Sequence, residues 1–249
     1  AIELDPKHAV AHCDLGNLLK DVRKDYDGAI KLYRKAIELD PKYAHACWNL
    51  SLLLENQKKD ITGAIDATKE YIRRGDPDND GEQRLAKLRA YSEGLARENE
   101  KKWPEAIAAF QNCVALDANH SASAWFQLGN AYYGQNGMKN CEAEYEPYTR
   151  CIALDPKHAV AHINLGNVLK DVRKDYDGAE KMFRKAIELD PKHAYAHNSL
   201  GHLLLIARKD YEGAERFCRK AIELDAKYAY PYWNLSVIAE EKEEDIAAA

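Results

Sequence analysis

The tetrapeptide Leu-Asp-Pro-Lys stands at Leu4, Leu39, Leu154 and Leu189, and a fifth copy, Leu224-Asp-Ala-Lys, differs by one residue. Within each group the spacing is 35 residues, and residues 1–50 return in 151–200 at about three quarters of positions. Lys20–Ala29 reappears unchanged as Lys170–Ala179. A period of this length excludes one globular core. Each unit is too small to bury its apolar face alone, so it must stack on its neighbours as a solenoid.

One unit can be read in 159–193. Ala159, Ala161, His162, Leu165, Gly166 and Leu169 recur at helical spacing and predict a first helix of about 14 residues. Asp175 and Gly178 bracket a short turn. Ala179, Met182, Phe183, Ala186, Ile187 and Leu189 form the apolar stripe of a second helix. Pro191 stops it, because proline lacks the amide hydrogen and disfavours helix at the residue before it. Gly166, Gly178, Ala179 and Ala186 stand where two helices approach closely. The unit is an antiparallel helix pair, and the chain is all-α.

This pattern resembles the tetratricopeptide repeat. Its marker residues are Leu15, Gly16, Tyr26, Ala29, Tyr33, Ala36 and Pro41 in the first unit and Leu165, Gly166, Tyr176, Ala179, Phe183, Ala186 and Pro191 in the fifth. The sixth carries Leu200, Gly201, Tyr211, Ala214, Cys218 and Ala221. The resemblance covers essentially the whole chain and implies a right-handed superhelix of helix pairs. The turn Lys-Asp-Tyr-Asp/Glu-Gly-Ala carries one residue more than the family's usual unit.

The expected division is a single array. Residues 1–8 end a preceding repeat, 9–43, 44–79, 80–120, 121–158, 159–193 and 194–228 form six repeats, and 229–249 start a seventh, with Ile246 opening its second helix. The middle is less regular. Leu50-Ser51 replaces Leu-Gly, with Thr68 and Tyr71 at the aromatic and alanine positions, and Pro147 should kink the second helix of its unit or delay its start.

A formal net charge of −5, from 36 Lys+Arg against 41 Asp+Glu, gives no reason to expect a nucleic-acid partner, which needs a concentrated basic face. No apolar run of the ~18 residues needed to span a bilayer exists. The six Cys, none in a C-x-x-C pair, read as small buried hydrophobes in a reducing, intracellular and cytoplasmic setting. The chain opens at Ala1 inside an expected helix, as an excerpt of something longer would.

Two motifs invite a metal reading, and neither sustains it. Asp76 to Gly81 resembles the start of an EF-hand loop, but the twelfth position, where a bidentate Glu is required, is Lys87. His8/His12, His158/His162 and His193/His197 lie at i,i+4 spacing, but no Glu stands between them. Each pair falls at one place in its repeat, as duplication of a structural choice would place it. No metal, cofactor or catalytic constellation is expected, so the segment is read as a non-enzyme.

The resemblance also places the first helix of each pair on a concave face. The residue before the Leu of Leu-Gly, or its equivalent, is Asp14, Asn49, Gln127, Asn164, Ser199 or Asn234, with Asn17, Asn130, Asn167 and His202 just beyond the Gly position. Such carboxamides donate and accept together, which suits an extended peptide backbone. The stripe is similar to the asparagine ladder in the array of O-linked N-acetylglucosamine transferase. One residue further back stand Trp48, Tyr91, Phe126, Asn198 and Trp233, candidate anchors for a partner. The cationic clamp that grips chaperone tails in this family is missing. The expected function is a non-catalytic module holding a protein or peptide segment in the groove. Two other roles suit the same repeats: a scaffold subunit fixed in a larger complex, or the substrate-selecting arm of an enzyme whose catalytic domain lies elsewhere.

Overall fold

The computed structural model describes residues 5–76, 78–117, 121–137 and 139–248. Among these residues there is no strand, and thirteen α-helices follow one another. They are α1 (Ala9–Leu18), α2 (Tyr26–Leu39), α3 (Ala44–Leu53), α4 (Ile61–Arg73), α5 (Gly81–Asn99), α6 (Trp103–Leu116) and α7 (Ala122–Gln135). The remainder are α8 (Tyr145–Leu154), α9 (Ala159–Val168), α10 (Tyr176–Leu189), α11 (Ala194–Leu203), α12 (Tyr211–Leu224) and α13 (Tyr230–Ala248). Residues 1–99 with 108–118 form one compact unit, and 100–107 with 119–249 form a second.

In the first unit α1 to α5 pack each on the next. Their core is built on Tyr33, Leu50, Leu53, Leu54 and Leu88. In the second unit α7 to α13 do the same, and α11 also touches both α9 and α13, so these alternate helices make one layer. That core holds Tyr148, Ile163, Phe183, Leu200 and Leu203. The Leu-Gly signature works by close approach. A Cβ placed on Gly166 would stand 2.6 Å from the Phe183 ring. Where Ser51 takes the glycine's place, Thr68 takes the aromatic's, and their hydroxyls hydrogen-bond at 2.7 Å. The helix contact is kept by exchanging both partners.

The extra residue of the 35-residue units has a definite place. First helices α1, α3, α9 and α11 each continue into a π-helical turn, over Leu19–Arg23, Leu54–Lys58, Leu169–Arg173 and Leu204–Arg208. Each turn is closed by a lysine in the left-handed region, at φ 55° for Lys24, Lys59 and Lys174 and 52° for Lys209. An aspartate then caps the next helix, with Asp25, Asp60, Asp175 and Asp210 each accepting from a glycine amide at 2.9 Å. The added residue is absorbed as a wider, i→i+5 turn.

Other details follow from local chemistry. Pro147 is the third residue of α8, in the first turn, where no intrahelical donor is missed. α13 runs unbroken through Ala248, so Ile246 extends it and opens no second helix. The Lys-Asp-Tyr-Glu-Gly turn has no counterpart there, since the register of 209–213 falls on Glu-Asp-Ile-Ala-Ala. Ala249 lies outside the described residues, as do residues 1–4, Pro77, 118–120 and Met138. The acidic loop serves α5: the Asp76 carboxylate accepts from the amides of Asp80 and Gly81 at 3.1 and 3.2 Å. Five of the six paired histidines are engaged by the backbone. His8 and His158 accept from the amides of Ala11 and Ala161 at 3.1 Å. His12, His162 and His197 turn Nε2 to the carbonyls of Pro6, Pro156 and Pro191 at 3.0, 3.1 and 3.0 Å. Among the described residues no cluster of three or more His, Cys, Asp or Glu is placed to hold a metal.

Candidate functional site

Of the fifteen candidate residues, seven converge on one groove in the second unit, about 1050 Å³ in volume: Asn164, Asn167, Asn198, Ser199, His202, Trp233 and Asn234. α9, α11 and α13 supply them. Asn167, Asn198, Ser199 and Asn234 are buried, while Trp233 is 58% exposed. Asn234 donates to Asn198 Oδ1 at 2.9 Å, joining α13 to α11. Asn164 donates to Asn130 Oδ1 at 3.5 Å, joining α9 to α7, and Tyr148 donates to the same oxygen at 3.0 Å. The polar stripe therefore ties consecutive first helices together as well as lining an open face.

The remaining candidates lie elsewhere. Phe126 packs on Tyr148 and His158, with ring centroids at 6.0 and 4.5 Å, and Gln127 accepts from Asn130 at 2.8 Å. In the first unit Asp14 is exposed, and Asn17 accepts from Tyr33 at 2.8 Å and from Asn49 at 3.3 Å. Trp48 lies on Tyr71 at 5.0 Å, with the Arg84 guanidinium over its ring, and Tyr91 lies on Phe110 at 5.9 Å. These aromatics complete helix packing, so one apolar letter in one register served two ends.

The groove also contains side chains that the first-helix register did not single out, chiefly Tyr195, Tyr228, Tyr230 and Lys170. Three of them sit at the start of a first helix or just before it, and Lys170 sits in a π-turn. Tyr195 and Tyr228 have centroids 6.1 Å apart, and Tyr228 and Tyr230 5.8 Å apart. The clustering of tyrosines at 228–232 was the signal available in the sequence.

Polarity in the groove is fixed by its own hydrogen bonds. Asn167 Nδ2 donates to the Tyr195 hydroxyl at 3.1 Å, and Asn198 Nδ2 donates to the Tyr228 hydroxyl at 3.2 Å. A carboxamide nitrogen only donates, so both phenol oxygens act there as acceptors and keep their own protons to offer. Burial pushes the Tyr228 hydroxyl well above the usual phenol range, which keeps that proton on. Lys170 Nζ lies 3.3 Å from His202 Nδ1 and 3.2 Å from Asp171. An ammonium has no lone pair, so Nδ1 accepts and Nε2 carries the imidazole hydrogen. Burial, and then the lysine charge, push His202 down to about 4. The imidazole is neutral near pH 7 and presents a donor.

Two family models match the sequence, a tetratricopeptide repeat over residues 163–229 and a TPR repeat over 23–58. The chain is a tetratricopeptide-repeat protein. No curated protein matches it. Among solved structures, this tetratricopeptide-repeat chain is similar in fold to one in the APC/C hetero-tetramer Cut9-Hcn1, with a TM-score of 0.60 and 17% identity. That match covers 95% of this chain and 44% of the other, so the chain spans less than half its length. The MamA protein matches at TM-score 0.43 and 23% identity, over 90% of this chain and 95% of that one. YrrB, described as a TPR protein with an unusual peptide-binding site, matches at TM-score 0.40 and 19% identity, over 93% of each chain.

Tetratricopeptide repeats make protein–protein interaction modules, and this chain has that architecture. No helix among the described residues is long and apolar enough to cross a membrane.

Proposed function

We propose that the chain is a single array of six repeats, over 9–43, 44–79, 80–120, 121–158, 159–193 and 194–228, with a partial seventh. In this reading it holds an extended peptide or partner segment in the groove of its second unit and performs no catalysis itself. The observation carrying this is the convergence of Asn164, Asn167, Asn198, His202 and Trp233 on one groove of about 1050 Å³. Its size falls at the upper end of ordinary ligand pockets. Carboxamides that donate and accept suit a peptide main chain, and an exposed tryptophan beside them suits an anchoring side chain. The setting is an intracellular one, in keeping with six free cysteines, five of them buried.

The test is a random-peptide selection on the intact chain, followed by affinity measurements on two variants. Trp233→Ala is expected to weaken the selected peptides by about tenfold or more, the loss typical of an anchor residue. Trp48→Ala, in the first unit, is expected to leave them bound. Selected peptides that bind Trp233→Ala as tightly as the parent would place the site elsewhere.

A further inference from the structure

The proposed peptide site has a more specific chemistry than an extended chain requires. Its wall is aromatic: Tyr195 is 43% exposed, Tyr230 67% and Trp233 58%. Tyr195, Tyr228 and Tyr230 follow one another with ring centroids 6.1 and 5.8 Å apart, a continuous aromatic surface of the kind on which polyproline II segments dock. Trp233 continues the wall, with its ring 6.5 Å from the His202 ring.

Hydrogen-bonding capacity points the same way. Tyr195 and Tyr228 hold unspent hydroxyl protons, and His202 holds an Nε2 hydrogen with no partner among the described residues. These three donors face a groove in which proline-rich backbone would offer bare carbonyls and few amides. The carboxamide oxygens of Asn164 and Asn167 accept nothing among the described residues and suit the amides of occasional non-proline residues. Asn234 Oδ1 is also unpaired, but it is sealed from the surface.

Charge excludes the common alternatives. The groove holds Lys139 and Lys170 against Glu144 and Asp171, and Lys170 is already paired with Asp171. Glu144 is spent on the Cys141 amide at 2.7 Å. An acidic or basic peptide would meet no unmatched buried countercharge, whereas a neutral segment meets aromatic faces and donors.

Resting on the peptide-groove reading, we propose that the partner segment is a neutral, proline-rich stretch bound in the polyproline II conformation, with prolyl rings on Tyr195, Tyr230 and Trp233 and carbonyls on the hydroxyls of Tyr195 and Tyr228. Such a segment is stiff before it binds and loses little entropy on binding, so a shallow groove suffices.

The experiment titrates the intact chain with three blocked peptides of about nine residues, roughly 28 Å in polyproline II. Their repeats are Pro-Pro-Ala, Ser-Thr-Ala and Pro-Glu-Ala, and tryptophan fluorescence and calorimetry are the readouts. The Pro-Pro-Ala peptide is expected to bind at least about tenfold tighter than either other peptide. The double variant Tyr195→Phe with Tyr228→Phe keeps both rings and removes both donors, and should weaken that peptide by about tenfold. Trp233→Ala should weaken it further, and circular dichroism identical to the parent's would show that both variants are folded. Equal or tighter binding of Ser-Thr-Ala, lost in Trp233→Ala, overturns the proline preference while leaving the peptide groove intact. Tightest binding by Pro-Glu-Ala overturns the neutral-segment reading in the same way. If none of the three binds at about 1 mM, the proline proposal falls. If the random selection also yields only binders indifferent to Trp233→Ala, the groove falls with it.

Discussion

The two halves of the chain start from one blueprint and finish their inner faces in opposite ways. Residue n of the first unit corresponds to n+150 of the second, and the first 50 pairs agree at about three quarters of positions. Beyond them, Arg84 stands where the second unit has Asn234, and Glu55 where it has Leu205. In the first unit Arg84 is buried, bonds Glu55 at 2.7 Å and covers Trp48. Lys87 bridges the same Glu55 at 3.4 Å and Asp117 at 3.0 Å. In the second unit the corresponding space is bordered by Asn198, Asn234, Tyr228 and Trp233 and stays open as the groove. Duplication supplied a common scaffold, and a few residues beyond the copied stretch decided whether its face was filled with charge or left for another molecule.

The sharpest way to break this contrast is at Glu55. Glu55→Ala leaves Arg84 without its carboxylate and Lys87 with one of two, both cations being buried. Removing one partner of a buried pair costs about 3–5 kcal/mol. The denaturation midpoint of the first unit should fall by a corresponding amount, while Leu205→Ala in the second costs about 2–5 kcal/mol from a cavity alone. A Glu55→Ala loss within the ~1 kcal/mol of a surface pair would mean that the charge network does not hold this face together.

A smaller effect is expected from moving the first unit's solution into the second. Asn234→Arg with Leu205→Glu should fill the groove, reducing affinity for groove-bound peptides by at least about tenfold, or 1.4 kcal/mol. Fold should persist by circular dichroism. Unchanged affinity would show that these two positions do not separate the faces.

The smallest effect concerns pH. His202 is held near 4, while an unfolded histidine titrates near 6.5. Between those values the unfolded chain binds more protons, so stability falls as pH is lowered from about 6.5 to about 4 and levels off below. The first unit has Leu52 at this position and lacks the contribution. His202→Gln should flatten that slope in urea titrations across the window. A slope unchanged by the substitution would remove His202 as its source.

Much of this was legible in the chain. Period, helix pairing and the close approach at Gly166 follow from residue size and spacing, which are local properties. The polar stripe was legible too, because one register places five of its positions, Asn164, Asn167, Ser199, His202 and Asn234, on one face, where they share a groove. The fate of Trp48 was not. Its letter is the same as Trp233's, and only Arg84, from the next repeat, decides that it is covered. The tyrosine wall escaped the register because Tyr228 lies in an interhelical turn, outside the helical period. Charge pairs such as Arg84–Glu55, 29 residues apart, leave no periodic trace.

The π-turn has a consequence for how such a chain tolerates change in its gene. One added residue in an α-helix rotates everything after it by about 100° and would carry the next stripe off its face. Here the addition is spent in a turn between two helices, closed by a lysine and restarted by an aspartate cap. The same insertion is therefore carried in four units beside units of ordinary length, and the asparagines on either side still find one another. At that point in each repeat, a codon can be gained without loss of meaning downstream.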